Sequence, residues 1–271
     1  MITCKFHGRL GNNLFQIATA IDIAKKLDTD FILPNISHQG HRGDRIVDIS
    51  MFEHKFNRGL IQTDYTYNET EFSYKEIPLA DNTSISGFFQ SWKYFDDIRT
   101  ELIHKYFKFN KEILESVKKY QCIGMNTLGI SVRRGDYLML QHNHCVLSTE
   151  YYQEAINKYF YEGIDSVYVF SDDIEWCKQI FGDSVIYVED SIGSQLCLMT
   201  KMQNLILSNS TFAWWGAYLN ETASLIVAPD PWFGPALQGN NTKDLFYPTW
   251  RLQKHNIVTH PYTLTENMFT N

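Results

Sequence analysis

The sequence predicts an α/β protein with two lobes and a cleft between them. From residue 127 onward, short apolar runs alternate strictly with segments whose apolar residues recur at helical spacing. This alternation is typical of a parallel sheet with helices on both faces. The chain also begins with an apolar run, a glycine turn and an amphipathic segment, which predicts a second unit of this kind. We expect lobes of residues 1–121 and 122–271, with a linker around 121–126.

The elements of the first half follow from the same periodicities. The apolar run Ile2–Phe6 predicts a strand, and apolar residues at helical spacing from Leu14 to Leu27 predict the helix after it. Residues 35–80 show no clean period, so we expect long loops with short helices there. The other elements expected in this half are strands at 31–34 and 83–89, and one or two helices within 97–120.

In the second half, expected strands and helices alternate regularly. Its expected strands are 127–133, 166–171, 184–188, 204–208 and 224–228, and its expected helices are 149–161, 173–181, 194–203 and 211–219. In an open parallel sheet, ligands bind beyond the C-terminal ends of the strands. The polar residues that follow these strands should therefore converge on one edge, where we expect the binding site.

Composition narrows the classes of ligand. The chain has 271 residues and a formal net charge of −7, which argues against general nucleic-acid binding. A small anionic ligand bound by local arginines is the better expectation. The five cysteines are odd in number, widely spread and without a Cys-x-x-Cys pair, so the sequence indicates neither a disulfide framework nor a zinc site.

The expected compartment is the cytoplasm. The cysteine pattern fits a reducing environment, and no stretch reaches the ~18 uninterrupted apolar residues of a membrane span. We expect no signal peptide and no membrane anchor. Any contact with the inner face of the cell membrane would be peripheral.

Two adjacent arginines carry the strongest signal for a ligand. Arg133 and Arg134 follow the apolar strand that begins at Thr127, and Gly135 after them permits a tight turn. Guanidinium groups at the C-terminal end of a strand can hold a multiply charged phosphate at a crevice. The alternative is that one arginine pairs internally with Asp136 while the other is solvated.

A run of hydroxyls opens the last expected helix. Ser210 and Thr211 stand at its N-terminus, where hydroxyls and free backbone amides suit an anion, although an ordinary helix cap would use the same residues. Trp214 and Trp215 follow inside the helix. Because adjacent residues point to different sides of a helix, we expect the tryptophans to belong to the core.

Two clusters invite a metal interpretation that we do not favour. Asp172 and Asp173 resemble an acidic metal motif, but they can instead accept hydrogen bonds from a base with paired donors, such as guanine, or cap the next helix. His142, His144 and Cys145 lie in one short loop without a second cluster of ligands. We expect no metal site.

A glycine turn opens the first helix. The glycines Gly8 and Gly11, with Arg9 between them, let backbone amides approach a ligand, while Asn12 projects into the cleft. An amide side chain both donates and accepts, which suits a sugar hydroxyl or a glycosidic oxygen. The alternative is a simple turn in which Asn12 caps the helix.

Taken together, these motifs resemble the bacterial α-1,2-fucosyltransferases of glycosyltransferase family 11. The resemblance covers nearly the whole chain and is carried by five motifs in order: 8–12, 87–95, 132–137, 170–173 with Trp176-Cys177, and 208–217. It implies a GT-B-like fold of two Rossmann-like lobes, with the acceptor on the N-terminal lobe and the donor site in the C-terminal lobe. It further implies inverting transfer from GDP-β-L-fucose to the 2-hydroxyl of a terminal galactoside, without a metal or other cofactor.

The resemblance also implies partners and alternatives. The acceptor would be a galactose-terminated oligosaccharide or lipid-linked glycan of a bacterial surface polysaccharide, such as O-antigen or capsule. Alternatives are another GDP-sugar, another linkage, or a homologue that binds the nucleotide sugar without catalysis. Competition between donors, linkage analysis and a binding measurement separate these.

The chain departs from the family pattern at four positions. Ser131 stands where a histidine usually precedes the first arginine, and Asn13 stands where a glutamine is common. Ala213 replaces a common hydroxyl, and Asp230 replaces a usual basic residue. Because of this serine, the resemblance predicts the linkage formed less firmly than it predicts the donor.

Roles follow for the candidate residues. Arg133 and Arg134 would stabilise the departing GDP, and Asn12 would position the acceptor oxygen. Asp136 would act as general base or orient Arg133, although a departing phosphate that takes the proton needs no base. Asp172 or Asp173 would bind guanine. The full set of expected substrate-binding residues is Gly8, Arg9, Gly11, Asp172, Asp173, Ser208, Asn209, Ser210 and Thr211.

Overall fold

Two mainly parallel sheets, one in each half of the chain, organise the structure. The computed structural model describes residues 1–38, 43–121, 125–160 and 163–258. The first sheet is built from strands within residues 2–86, and the second from strands within 127–254. The predicted α/β class is confirmed. The division of the chain at residue 121 stays a prediction, and much of the expected linker lies outside the described residues.

The first sheet has five strands in the order β3-β2-β1-β5-β4. The strands are β1 (Ile2–His7), β2 (Ile36–His38), β3 (Arg45–Ile46), β4 (Tyr65–Asn68) and β5 (Thr83–Ser86). β1 runs parallel to β2 and β5, and β4 runs parallel to β5, whereas β3 is antiparallel to β2. The C-terminal ends of the four parallel strands therefore share one edge of the sheet.

Long loops make up most of the described part of residues 35–80, as expected, but the expectation of short helices there is wrong. The described part of this segment contains three strands and no helix. These strands are two to four residues long and largely exposed, so they cannot show the alternation of a half-buried strand. The strand expected at 31–34 is instead a pair of isolated bridges, from Ile2 to Phe31 and from Leu33 to Arg58.

Among the described residues of the first half, one α-helix is long and two are short. Helix α1 (Leu10–Lys26) is buried over most of its length. Helix α2 (Arg99–Glu101) continues into a π-helical turn, Leu102–Tyr106. Helix α3 (Lys111–Ser116) begins where the Asn110 side chain accepts a hydrogen bond from the Ile113 amide, at 2.9 Å. The one or two helices expected within 97–120 are therefore present but brief.

The second sheet has six parallel strands in the order β11-β10-β9-β6-β7-β8. The strands are β6 (Thr127–Val132), β7 (Ser166–Ser171), β8 (Ile186–Tyr187), β9 (Asn204–Ile206), β10 (Leu225–Asp230) and β11 (Arg251–Lys254). The helices are α4 (Thr149–Tyr159), α5 (Ile174–Phe181), α6 (Ile192–Met199) and α7 (Thr211–Tyr218). The predicted alternation is confirmed.

Local capping explains where α6 differs from its expected range. It begins two residues early because the Ser191 hydroxyl accepts a hydrogen bond from the Ser194 amide, at 3.1 Å. It ends early because the Asn220 side chain donates to the carbonyls of Met199 and Met202, at 3.1 and 2.8 Å. Neither interaction can be read from the apolar period.

An apolar core passes from one lobe into the other. Trp214 and Trp215 are fully buried, as expected, and the ring of Phe15 on α1 lies 4.4 and 5.0 Å from theirs, between centroids. Phe95 stacks on Trp215 at 5.4 Å. Aromatic pairs of this kind contribute about 0.5–1.5 kcal/mol each beyond the burial of area. A packed aromatic junction therefore joins the two lobes.

Two observations relate to the predicted compartment, namely the state of the cysteines and the length and polarity of the helices. The four described cysteines, Cys4, Cys145, Cys177 and Cys197, are free and buried, and Cys122 lies outside the described residues. Within the described ranges, every helix is too short or too polar to traverse a lipid bilayer.

Replacing Gly11 by alanine should disrupt the junction between the lobes. A Cβ atom there would lie 2.5 Å from both the Phe212 backbone nitrogen and the Thr211 Oγ1. Since backbone has to move, we expect the free energy of unfolding to fall by about 1–3 kcal/mol. Urea denaturation measures it.

Gly239→Ala is the matched control, because nothing lies within 4 Å of the added Cβ. Equal stability changes at the two positions would contradict the role assigned to the Gly11 contact.

Candidate active site

The candidate site lies where the turn after β1 meets the loops after β6 and β9. The Arg9 guanidinium contacts the Asp136 carboxylate across the cleft, at 3.2 Å. The Trp215 indole donates to the Gly11 carbonyl at 2.9 Å. The loop after β6 carries Arg133 and Arg134 and is called the arginine loop below. It lies more than 120 residues from the N-terminal turn in sequence, and these contacts bring the two together.

Arg133 is fixed from three sides. One terminal nitrogen contacts Asp136, and the other lies 2.8 Å from the Asp172 carboxylate. Its guanidinium also lies over the Tyr137 ring, 5.2 Å from the centroid. Arg133 does pair with Asp136, as the alternative interpretation of the sequence required, but the side chain is only 19% exposed.

Arg134 is buried rather than solvated. Its Nε lies 3.1 Å from the Asp173 carboxylate, and its guanidinium lies 4.1 Å from the centroid of the Trp176 ring. Its Nη1 is buried and has no hydrogen-bond partner among the described residues. An unsatisfied buried donor costs about 1–3 kcal/mol, more for a charged group. A strongly accepting ligand would remove that cost.

Asp172 and Asp173 hold the arginine loop. Asp172 accepts from the Arg134 backbone amide at 2.9 Å and pairs with Arg133 through its other oxygen. Gly135 leaves room for it, because a Cβ there would lie 2.4 Å from the Asp172 Oδ2. Asp173 caps α5, accepting from the Trp176 amide at 3.2 Å. The helix cap is therefore formed, and guanine binding by these carboxylates stays a prediction.

The hydroxyl run divides into a buried half and a half near the cleft. Ser208 is fully buried, with its Oγ 2.9 Å from that of Ser131. Asn209 is also buried and donates to the carbonyls of Cys145 and Trp232, at 2.9 and 3.0 Å. These two residues shape the second lobe from inside.

The other half, Ser210 and Thr211, is partly exposed. The Ser210 hydroxyl caps α7 by accepting from the Phe212 amide at 3.3 Å. The Thr211 hydroxyl lies beside Gly11 of the opposite lobe. The structure thus places the start of α7 against the N-terminal glycine turn.

Ser131, which stands where the family usually has a histidine, is buried inside the second lobe. Ser131 is 4% exposed, its hydroxyl faces Ser208, and its carbonyl accepts from the Tyr152 hydroxyl at 3.3 Å. It therefore contributes to the interior of the second lobe.

Asn12 belongs to a pair of amides on the first lobe. It folds over Gly8, whose φ is +74°, so closely that a Cβ on that glycine would lie 2.2 Å from the Asn12 Nδ2. Its Oδ1 accepts from the Gln90 side chain at 2.9 Å. Asn12 does not cap α1, which begins after Arg9 without a side-chain cap. No pattern in the sequence predicted a role for Gln90.

Asn13 and Gln16 hold the turn from behind. Asn13 is buried and donates to the His7 carbonyl and the Ser37 hydroxyl, both at 3.2 Å. Gln16 donates to the Gly87 carbonyl at 2.8 Å. These bonds tie β1, β2 and the loop after β5 together, which explains how an asparagine serves at position 13.

Glu69 is a site residue that sequence reasoning missed. Its carboxylate accepts from the backbone amides of Phe88 and Phe89, at 2.7 and 3.0 Å. Burial raises the pKa of Glu69, although these two hydrogen bonds oppose the shift. Glu69 fixes the loop that carries Gln90. It lies in the segment without a period, so no sequence signal marked it.

In the loop that contains His142, His144 and Cys145, two of these side chains contact other residues. The His144 ring stacks on Tyr137, with 4.6 Å between centroids, and the Cys145 thiol donates to the Trp232 carbonyl at 3.5 Å. In the ranges described, no three His, Cys, Asp or Glu side chains are grouped to hold a metal ion.

Comparison with solved structures shows the class of fold. NodZ α-1,6-fucosyltransferase co-crystallised with GDP matches this chain with a TM-score of 0.57 at 15% identity, covering 84% of this chain and 94% of the other. The likeness shows a GT-B-like fold, as the sequence predicted. The fold is therefore a two-lobed α/β fold of the GT-B type. The sequence profile of Glycosyl transferase family 11 matches residues 1–253, so the chain belongs to that family.

Three curated relatives are also similar. The O-antigen biosynthesis glycosyltransferase WbnK of Escherichia coli is 28% identical, over 92% of this chain and 99% of the relative. An alpha-1,2-colitosyltransferase of Escherichia coli is 28% identical, over 86% and 92%. Galactoside alpha-(1,2)-fucosyltransferase 2 of Sus scrofa is 24% identical, over 92% and 79%.

Two variants of Asp173 should distinguish its helix cap from its ion pair with Arg134. Asp173→Ala loses both the helix cap and the charge opposite Arg134, so we expect the free energy of unfolding to fall by about 1–3 kcal/mol. Asp173→Asn keeps an oxygen that can cap α5, so it should restore about 1 kcal/mol of this loss. Urea denaturation of both variants measures the difference. Equal losses would show that the cap contributes nothing.

Proposed function

We propose that this protein transfers L-fucose from GDP-β-L-fucose to the 2-hydroxyl of a terminal galactoside, with inversion at the anomeric carbon. The observation that carries the proposal is the arginine pair after β6, held by carboxylates, with the buried Nη1 of Arg134 unpartnered within the described structure. Membership of family 11 and relatives named for α-1,2 transfer support the donor and the linkage.

The donor diphosphate fits between the arginine loop and the start of α7. Arg134 offers a buried donor, and the partly exposed Ser210 and Thr211 stand at a helix N-terminus. Backbone amides there favour a phosphate. Gly11 of the N-terminal glycine turn packs against Thr211 and Phe212, so this turn borders the start of α7.

In the reaction, the bond between the anomeric carbon and the β-phosphate oxygen breaks, and the electron pair leaves with GDP. Arg133 and Arg134 stabilise the charge that develops on the phosphate. Each charge-assisted hydrogen bond contributes about 1.5–3 kcal/mol, so one is worth on the order of 100-fold in rate. Because carboxylates already fix both guanidiniums, little reorganisation is needed.

The acceptor belongs on the first lobe. Asn12, held by Gln90, presents an amide that can direct the acceptor oxygen toward the anomeric carbon. Arg9 lies beside it on the same turn and contacts Asp136. Both oxygens of Asp136 are engaged by guanidiniums, from Arg9 and Arg133, which favours orientation of the arginines over proton transfer.

If Asp172 or Asp173 binds guanine, its carboxylate oxygens must accept hydrogen bonds from both the base and an arginine. Each carboxylate already accepts from an arginine, but an oxygen with two lone pairs can accept a second bond. Ser208 and Asn209 would act indirectly, through the shape of the second lobe. We propose further that transfer needs no metal and takes place at the cytoplasmic side, on an oligosaccharide or lipid-linked glycan of O-antigen type.

A second donor is favoured by one comparison. The relative named alpha-1,2-colitosyltransferase is as similar to this chain as WbnK, at 28% identity. Transfer of a different deoxyhexose from its GDP ester, to the same hydroxyl, would use the same phosphate contacts. Competition between GDP-fucose and GDP-colitose separates the two donors.

Replacing Arg134 by lysine should impair the departure of GDP. Lysine keeps the charge but loses the planar fork that reaches Asp173 and the ligand together. We expect kcat/KM for GDP-fucose to fall on the order of 100-fold, with weaker GDP binding by calorimetry. Arg251→Ala is a suitable control, because that arginine is exposed on β11. Unchanged kinetics in Arg134→Lys would contradict the assigned role.

The reaction itself is tested by turnover with GDP-fucose and β-galactosides such as lactose. We expect a fucosylated product with an α-1,2 linkage by NMR, formed equally with and without EDTA, and no product from an acceptor that lacks the 2-hydroxyl. Loss of activity in EDTA would contradict metal independence. Binding of GDP without any turnover would favour a non-catalytic homologue.

A further inference from the structure

Two histidines lie at the C-terminal edge of the first sheet, and the mechanism above does not use them. His7 ends β1, His38 ends the neighbouring β2, and Ser86 ends β5 on the other side. Phe88 follows two residues after β5. We call these four residues the histidine rim. Since β2, β1 and β5 are parallel neighbours, the topology alone brings their last residues together.

The contacts within the rim centre on His7. Its Nε2 lies 3.4 Å from the Ser86 hydroxyl, and its ring centroid lies 6.3 Å from that of His38 and 6.2 Å from that of Phe88. His38 is itself paired with Asp44 at 2.8 Å. The His7 Nδ1 makes no hydrogen bond to the described residues, so a ring nitrogen is open to a ligand.

Phe88 gives the rim an apolar surface. Its side chain is 42% exposed, although Phe89 beside it is fully buried. The backbone amides of both residues donate to Glu69, so the backbone that carries the exposed ring is fixed. A fixed aromatic ring next to hydrogen-bonding side chains suits a sugar, whose C–H face packs on the ring while its hydroxyls reach the polar groups.

The rim adjoins the donor site. His7 directly precedes Gly8, over which Asn12 folds, and Arg9 follows. Arg9 contacts Asp136, which in turn contacts Arg133. Residues 8 and 9 therefore connect the rim to the arginine loop along the chain.

The state of the His7 ring suits a proton acceptor. Burial lowers its pKa, and the electrostatic influence of His38 on β2 and of Lys5 on β1 lowers it further. The other groups that face it are Ser86 on β5, Phe88, and Gln16 of α1, which accepts from the His7 backbone amide. None of these is anionic. The ring is thus neutral at pH 7 and carries a free lone pair.

Other titratable groups of the cleft are engaged elsewhere. Both oxygens of Asp136 contact guanidiniums, and both oxygens of Glu69 accept backbone amides. Asp44 pairs with His38. These contacts leave His7 best placed to receive a proton.

We propose that the histidine rim binds the acceptor galactoside and that His7 removes the proton from its attacking hydroxyl. This inference rests on the fucosyl transfer proposed above. The hydroxyl O–H bond breaks and its proton passes to the His7 ring, giving an imidazolium. The oxygen forms the new bond to the anomeric carbon while the bond to the β-phosphate breaks, and the electron pair leaves with GDP. The imidazolium then returns its proton to water.

His7→Gln tests the proton transfer, because glutamine keeps a hydrogen-bonding group but cannot accept the proton. We expect kcat to fall by about 10²–10⁴-fold. The acceptor KM, GDP binding and the slow hydrolysis of GDP-fucose without acceptor should stay within about threefold. The acidic limb of the wild-type kcat/KM profile, with an apparent pKa below the ordinary histidine value, should disappear in the variant.

His38→Gln is the matched variant and does not depend on the folding of His7→Gln. Removal of the His38 imidazole, whose electrostatic influence lowers the pKa of His7, should raise that pKa and move the acidic limb of the kcat/KM profile to higher pH. Phe88→Ala should raise the acceptor KM about tenfold and leave the donor KM unchanged.

The outcomes are distinguishable. If the wild type transfers fucose but His7→Gln matches its kcat, or if it loses kcat and donor hydrolysis equally, His7 is not the base. An unmoved acidic limb in His38→Gln also overturns that role. An unchanged acceptor KM in Phe88→Ala overturns the subsite. If the wild type binds GDP but transfers no fucose, the proposed function fails, and this inference fails with it.

Discussion

The contact between the start of α1 and the start of α7 determines where every other part of the site lies. The Gly11 carbonyl accepts from the Trp215 indole at 2.9 Å, and no side chain separates this turn from Thr211 and Phe212. Because Phe15 and Trp214 pack directly behind, the contact is buried in apolar surroundings. Two sheets that share no strand are thereby held so that their C-terminal edges border one cleft.

Charge within the cleft is balanced before any ligand arrives. In the cluster as described, three guanidiniums, from Arg9, Arg133 and Arg134, meet the three carboxylates of residues 136, 172 and 173. The formal charge of the cluster is therefore zero. Binding of a diphosphate then depends on the directions of the N–H groups rather than on a general positive field. This agrees with an acidic chain, because a preoriented donor needs no excess of cations.

The sequence predicted the second lobe far better than the first. Its buried strands and amphipathic helices each show a clear period, and the arginine loop follows a strand that is buried throughout. The first lobe has short, exposed strands such as β3 and β4, whose pairing depends on the rest of the sheet. Glu69 therefore gave no signal, since its function arises from amides that only the fold brings near. The same reason applies to the carboxylates of Asp172 and Asp173, whose arginine partners lie a full strand and helix away.

The two lobes divide the chemistry by charge. The second lobe offers guanidiniums and a helix N-terminus, which suit a phosphate leaving group. The first lobe offers groups that are uncharged at neutral pH, namely the amides of Asn12 and Gln90 and the ring of His7, beside the exposed ring of Phe88. A hydroxyl nucleophile has no charge to neutralise, so hydrogen-bonding amides and an aromatic ring suffice to hold it. The acceptor side therefore depends on hydrogen bonding and packing, whereas the donor side depends on the directions of the guanidinium N–H groups.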